Sequence, residues 1–225
     1  MSTNKEKFIE GEVILINKAY TWTSFDVVKK IRSFIGVKKV GHAGTLDPLA
    51  TGLLIVCTGK KTKEIHKYQN LPKEYTGQIC LGATRPSHDK ETEIDKTFSL
   101  DEISEAKILE TASTFSGKIE QVPPSFSAIR KGGKRLYEFA RQGQKVETEP
   151  RLVEIFEFHI TDISIPLVSF RLKCSKGFYV RSLARDFGQA LGCGAYLDTL
   201  ERTAIGEFHL ESALSIEDFI NEYSE

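Results

Sequence analysis

The chain has 225 residues, 40% hydrophobic and 28% charged, with a formal net charge of zero. That suits one large globular domain or two small ones with a substantial core. No apolar run approaches the ~20 residues that span a bilayer, and the opening MSTNKEKF lacks a secretory pattern, so the expected location is cytoplasmic.

GEVILIN (11–17) is a short β-branched run and reads as a strand. Ser24 is read as the cap of a helix with Phe25, Val28, Ile31 and Ile35 on one stripe, ending at Gly36. GHAGTLDPLATG (41–52) follows as a loop: Gly41, Gly44 and Gly52 loosen the backbone, and Pro48 fixes it directly after Asp47. LLIVC (53–57) reads as a buried strand and TKEIHKYQN (62–70) as a short basic helix. In KEYTGQICLG (73–82), Tyr75, Ile79 and Leu81 alternate with Thr76, Gln78 and Cys80, the period of a half-buried strand. Residues 83–98 read as a polar loop, and Ser99 with Glu102 as a capping box for a helix reaching about Phe115.

VPPSFSAIRKGGKRLYEFARQG (122–143) reads as a proline turn, a short strand, a Gly-Gly hinge and a basic helix closed by Gly143. Strands follow near 151–163 and 167–174, then a helix in 178–192 with Val180, Leu183, Ala184, Phe187 and Leu191 on one stripe. A last strand, TAIGEFHL, and a helix capped by Ser215 complete an α+β pattern with a mixed, mostly antiparallel sheet flanked by helices and loops.

Overall neutrality hides a segregation of charge. Lys29, Lys30, Arg32, Lys38 and Lys39 lie together without an acid, and Lys60, Lys61, Lys63 and Lys67 are opposed only by Glu64. Residues 130–151 carry seven bases against three acids, whereas 201–225 carry seven acids and one arginine. Taken singly, each cluster reads as a solvated face; together they could form one positive surface for a phosphate-rich partner. Cys57, Cys80, Cys174 and Cys193 show no CxxC and no metal-ligand spacing, and read as reduced thiols. TGKKTK (58–63) is not a phosphate loop, because Leu54 and Lys61 occupy the positions of its first glycine and its Ser/Thr. GCGAYL (192–197) has leucine where a dinucleotide fingerprint needs glycine. An enzyme with this sequence is expected to work without metal or cofactor.

By itself, the loop at 41–52 is either a turn with Asp47 capping the next segment or a frame that presents one carboxylate. The longer stretch GHAGTLDPLATGLLIVCTGKKTK resembles the catalytic motif of the TruB-type tRNA pseudouridine-55 synthases. INKAYTWTSFDVVKKIR, KEYTGQICLG, VPPSFSAIRKGGKRLYEFARQG, CSKGFYVRSLARDFG and GAYLDTLERTAIGEF resemble further family segments in the family's order, covering most of 11–210. Two departures stand out. Asn17-Lys18-Ala19 replaces the family's usual Asp-Lys-Pro, and the chain ends at Glu225, which leaves no room for the PUA-type RNA-binding domain of many relatives. The expectation is one catalytic domain over 1–225 that grips RNA unaided, with weaker or more salt-sensitive binding.

The resemblance implies isomerisation of a uridine in the TΨC stem-loop of tRNA, by a cytoplasmic monomer. It implies Asp47 as the catalytic carboxylate, acting at C1′ or C6 or assisting a glycal route. Arg181 becomes the cation that keeps Asp47 ionised, and Tyr75 the ring that stacks on the flipped uracil. Tyr179 and Leu200 line the uracil pocket, His42 contacts the RNA or takes the target base's place, and Lys18 lies near the site. From the residues alone, Tyr75, Tyr179 and Leu200 read as core and Arg181 as a surface ion pair. The competing expectations are a non-catalytic RNA-binding or RNA-folding protein on the same scaffold, and the same reaction on another RNA.

Overall fold

The computed structural model describes residues 4–127, 130, 131, 133–142, 144 and 148–224. In chain order the first elements are α1 (Asn4–Glu10), β1 (Val13–Lys18), α2 (Ser24–Ile35), β2 (Val40–His42), β3 (Thr51–Thr58), α3 (Ile65–Gln69) and β4 (Lys73–Leu81). Then come β5 (Ala83–Thr84), β6 (Lys96–Thr97), α4 (Glu105–Ser113), β7 (Gly117–Gln121), β8 (Arg130–Lys131), β9 (Lys134–Arg135) and α5 (Leu136–Arg141). The last are β10 (Arg151–Ser164), β11 (Leu167–Cys174), α6 (Val180–Leu191), β12 (Ala195–Ile205), β13 (Phe208–His209) and α7 (Ile216–Glu222). This is the expected α+β composition. The chain forms two compact units, Met1–Thr76 with Leu200–Glu225, and Gly77–Thr199.

In the first unit β3 is the spine. It pairs antiparallel with β1 and β2, and parallel with β12 at Glu201↔Thr51 and Arg202↔Gly52. Both faces of β3 are covered, so its sequence runs as unbroken apolar residues rather than alternating with polar ones. Leu54 and Val56 face a cluster with Ile14, Ile16, Val27, Val28, Ile31, Phe8 and Phe219. Leu53, Ile55 and Cys57 face Ala43 and Ile205. In the second unit β10 pairs antiparallel with β7 and β11. The rings of Phe115, Phe158 and Phe187 meet edge-on at 5.8–6.2 Å, and Phe170 tilts against Phe158.

Several local expectations need correction. Thr23, not Ser24, caps α2: its Oγ1 accepts from Asp26 N–H at 3.0 Å, and Asp26 Oδ2 accepts from Thr23 N–H at 2.9 Å. The buried stripe runs through Val27, Val28, Ile31 and Ile35, which leaves Phe25 61% exposed. Ser99 closes a local turn with Asp101, so α4 starts later, capped by Ser104. Residues 59–64 form a 3-10 helix before α3, and β5 pairs with β6 inside the segment read as loop. Helix α1, strand β7 and the first half of β12 had no expectation attached. Gly132 and Gly143 lie outside the described residues, as do the side chains of most of the 130–151 basic cluster.

Thr21 holds φ at +70° while its N–H donates to Pro48 O at 2.9 Å. A β-branched residue in the left-handed region is strained. Thr21→Gly keeps the hydrogen bond and removes the strain, so chemical denaturation should show a gain of about 1 kcal/mol after the entropy cost of glycine.

Candidate active site

The first unit builds the Asp47 loop from its anchors inward. After His42 pairs with Val56, Ala43 N–H donates to Ile55 O at 2.9 Å, and the chain leaves the sheet until Thr51. Ala43, Leu46 and Ala50 are buried and pin the excursion at three points. Burying Leu46 contributes roughly 1.5–3 kcal/mol. Its backbone is also clamped from α2: Leu46 N–H donates to Ser24 Oγ at 2.9 Å, and Ser24 Oγ donates to Leu46 O at 3.2 Å. Asp47-Pro48-Leu49-Ala50 is then a turn closed by Ala50 N–H on Asp47 O at 3.1 Å, with Pro48 at its second position, where the ring's fixed φ fits. Asp47 is half-buried, between a locked residue and a locked turn.

Two buried cations support this loop. Lys18, fully buried at the end of β1, directs its Nζ at Trp22 O (2.7 Å), Ala19 O (3.0 Å) and Pro48 O (3.4 Å). Burial lowers its pKa to about 8; Asp47 opposes that shift and Arg202 adds to it. Arg202, 1% exposed on β12, donates from Nε to Leu53 O at 2.7 Å and from Nη2 to Gly44 O at 3.2 Å. His42 has a pKa below the ordinary histidine value, through burial first and the Arg202 charge in addition, with the Gly44 backbone opposing. Leu200 is half-buried on β12, and its carbonyl accepts from Thr51 Oγ1 at 3.5 Å. Tyr75 is buried on the first half of β4, on the face its periodicity predicts.

Tyr179 and Arg181 belong to the second unit. Tyr179 is half-buried at the N-terminus of α6, its backbone clamped by the buried Gln121 amide: Tyr179 N–H donates to Gln121 Oε1 (2.8 Å), and Gln121 Nε2 donates to Tyr179 O (3.1 Å). Arg181 is 4% exposed, which overturns the reading of a surface ion pair. Its Nη2 donates to Phe126 O at 2.8 Å and its Nη1 to Ser87 O at 3.2 Å, while its Nε lies 3.6 Å from Asp89 Oδ2. Ser87 Oγ bonds Asp89 O and accepts from Thr92 N–H, so the 85–92 segment is internally braced. His88 there has φ of +62° and a pKa lowered to about 4, by burial first and by the Arg185 and Arg181 charges.

Arg202, Gln121, Ser87 and Asp89 had no role in the sequence reading. Each is a polar residue with little or no exposure. Only Arg202 carried a signal, as a base whose same-face neighbours two positions away in the strand, Leu200 and Ala204, are apolar. Among the described residues no group of three or more His, Cys, Asp or Glu could hold a metal ion, and no helix is long and apolar enough to cross a membrane.

Gly52 lies where β3 and β12 meet: φ is +101°, and a Cβ there would sit 2.4 Å from Arg202 O and 2.7 Å from Arg202 N. Gly52→Ala should therefore cost roughly 3 kcal/mol, read by denaturant unfolding. For Lys18, the folded pKa lies below the unfolded value of 10.5. Between about pH 8 and 10.5 the unfolded chain therefore binds more protons, and folding stability gains with pH across that window. Below pH 8 both states are protonated and the handicap is constant. The stability of the wild type relative to Lys18→Met should rise across the window by up to about 3 kcal/mol. A flat difference would place the lysine in a more solvated state than its burial implies.

The model for the N-terminal domain of TruB family pseudouridylate synthases matches residues 32–180, and that for the tRNA pseudouridylate synthase B C-terminal domain matches 181–225. The chain is 51% identical over 218 residues to the tRNA pseudouridine synthase B of Flavobacterium johnsoniae, covering 94% of this chain and 95% of that one. The protein of the same name from Chloroherpeton thalassium is 52% identical over 216 residues, covering 94% and 90%. Among solved structures, a chain of a Cbf5–Nop10–Gar1 complex has a TM-score of 0.75 at 27% identity, covering 99% of this chain and 57% of that one. A chain of an H/ACA RNP bound to a substrate RNA containing 2′-deoxyuridine has a TM-score of 0.73 at 27% identity, covering 97% and 55%. This protein thus spans a little over half the length of those two structural relatives. On the match over 32–180 and on relatives half identical along nearly their whole length, the chain belongs to the TruB family of pseudouridylate synthases.

Proposed function

We propose that this protein isomerises a uridine in the TΨC loop of tRNA to pseudouridine, with Asp47 as the catalytic carboxylate. It acts as a cytoplasmic monomer, without metal or cofactor, the whole chain serving as one catalytic domain. Family membership and the shared name of the relatives support the reaction and the tRNA substrate. The observation that carries the role of Asp47 is its placement: a half-buried carboxylate between the clamped Leu46 and the turn at Pro48, in the field of Lys18.

The reaction breaks N1–C1′, turns the uracil, joins C5 to C1′ and moves the C5 proton, with no redox change. It needs one fixed anionic oxygen for the ribose or uracil carbon, a surface that holds the detached base, and a route for the proton. In this reading Asp47 is the first, acting at C1′ or C6 or assisting elimination to a glycal. Tyr75 stacks on the uracil and helps move the C5 proton, Tyr179 and Leu200 line its pocket, and Arg181 serves as the cation of the site. His42, neutral near pH 7, contacts the RNA or takes the extruded base's place, and Lys18 holds the loop that carries Asp47. The target must leave its stack, at a cost of a few kcal/mol.

Under enzyme excess on an unmodified tRNA transcript, the wild type should form pseudouridine at the TΨC-loop uridine. Asp47→Asn should be slower by about 10³-fold or more while binding the transcript as tightly. Equal binding by both proteins with product from neither would overturn the reading and favour a non-catalytic RNA-binding protein or another RNA substrate.

A further inference from the structure

The first unit carries an open groove of about 560 Å³, lined by Thr21, Trp22, Asp26, Lys29, Lys30 and Ser33. Four of these residues share the face of α2 turned away from the core stripe of Val27, Val28, Ile31 and Ile35. The turn before the helix supplies the other wall, including the left-handed Thr21. The one acid in the lining is engaged, since Asp26 Oδ2 accepts from Thr23 N–H at 2.9 Å and from Thr23 Oγ1 at 2.5 Å. Lys29 and Lys30 are exposed, and among the described residues neither makes a hydrogen bond or an ion pair. Two ammonium groups, two hydroxyls and an indole thus meet in one concave site, and no step of the chemistry above uses it.

We propose that this groove is a second RNA subsite, which holds the sugar–phosphate backbone of the substrate away from the target base. Lys29 and Lys30 would neutralise phosphate oxygens, Thr21 and Ser33 would donate to phosphate or ribose, and Trp22 would give a flat wall for a ribose or base. The charge fits a polyanion, and the indole beside the lysines suits a nucleotide better than an acidic peptide. The inference rests on the proposed RNA substrate. It adds a connection: the carbonyl of Trp22 accepts from Lys18 Nζ, and the N–H of Thr21 donates to Pro48 O, so the groove wall and the Asp47 loop share hydrogen bonds.

Trp22 is the sole tryptophan, so its emission reports on the groove directly. Full-length wild type would be titrated with unmodified tRNA transcript, following Trp22 emission and filter binding at several salt concentrations. The emission should change with the same midpoint as binding. The double variant K29Q/K30Q should weaken binding by roughly threefold to tenfold and lower the slope of log K against log salt by about 1.5, since two phosphate contacts are lost. K96Q/K118Q removes the same charge from exposed positions elsewhere and should leave that slope unchanged. A silent Trp22 during measurable binding would overturn the proposal, as would an equal fall in slope for both double variants. Because pseudouridine is measured in the same samples, product without the Trp22 signal sinks the groove alone. A wild type that neither binds nor modifies the transcript sinks the functional reading and the groove together.

Discussion

The Asp47 loop depends on two cations that never reach water. Lys18 and Arg202 are both almost wholly buried, and among the described residues their hydrogen bonds go to main-chain carbonyls, with Pro48 and Gly44 inside the excursion between β2 and β3 and Leu53 just after it. Taking two such charges out of water costs several kcal/mol, and apolar residues of similar volume would often serve stability as well or better. Apolar residues would, however, leave the carbonyls of Pro48, Gly44 and Leu53 without these donors and would remove the positive field around Asp47. Lys18 supplies both position and field, and Arg202 supplies position. The constraint also explains Gly52: the strand carrying Arg202 must approach β3 so closely that no side chain fits there.

In the second unit Arg181 follows the same rule with different partners. Two of its nitrogens donate to the carbonyls of Ser87 and Phe126, and Asp89 lies beside its third. A planar guanidinium can serve three directions at once, which a lysine ammonium on a flexible stem does with less angular definition. The 85–92 segment is therefore polar in sequence, yet Ser87 and Asp89 within it are buried. Its serine, threonine and aspartate close local hydrogen bonds that satisfy the backbone without a helix or strand.

What the sequence made legible follows from this difference. Periodicity located β4 and α6, and an unbroken apolar run located β3, because those elements are held by apolar burial, which leaves a repeat of 2 or 3.6 or a continuous apolar stretch in the residue order. The helix ends at Gly36 and Gly192 were legible because both adopt the left-handed geometry that glycine favours. Periodicity failed where short polar side chains decide between neighbours. Thr23 and Ser24 are equally good caps in sequence, and only the demand of Leu46 for the Ser24 hydroxyl separates them. The site itself was half legible. The glycines and Pro48 announced a shaped loop around Asp47, but nothing local reveals that a base 155 positions away in the sequence, Arg202, holds Gly44. Gln121, Ser87 and Asp89 were invisible for the same reason, since their partners are backbone atoms far along the chain or inside an irregular loop.

The turn from Ala19 to Thr23 is the piece that ties these elements together. Within five residues it supplies two carbonyls to Lys18, one N–H to Pro48 and the cap of α2. A β-branched residue at φ of +70° persists only where the surroundings over-determine it, and Thr21 sits between these fixed points. Relaxing Thr21 toward negative φ would turn its N–H away from Pro48, the residue that follows Asp47. The strain is therefore a consequence of where the loop must be held. It also means that anything pressing on the outer wall of this turn acts through one peptide unit on the backbone beside the carboxylate.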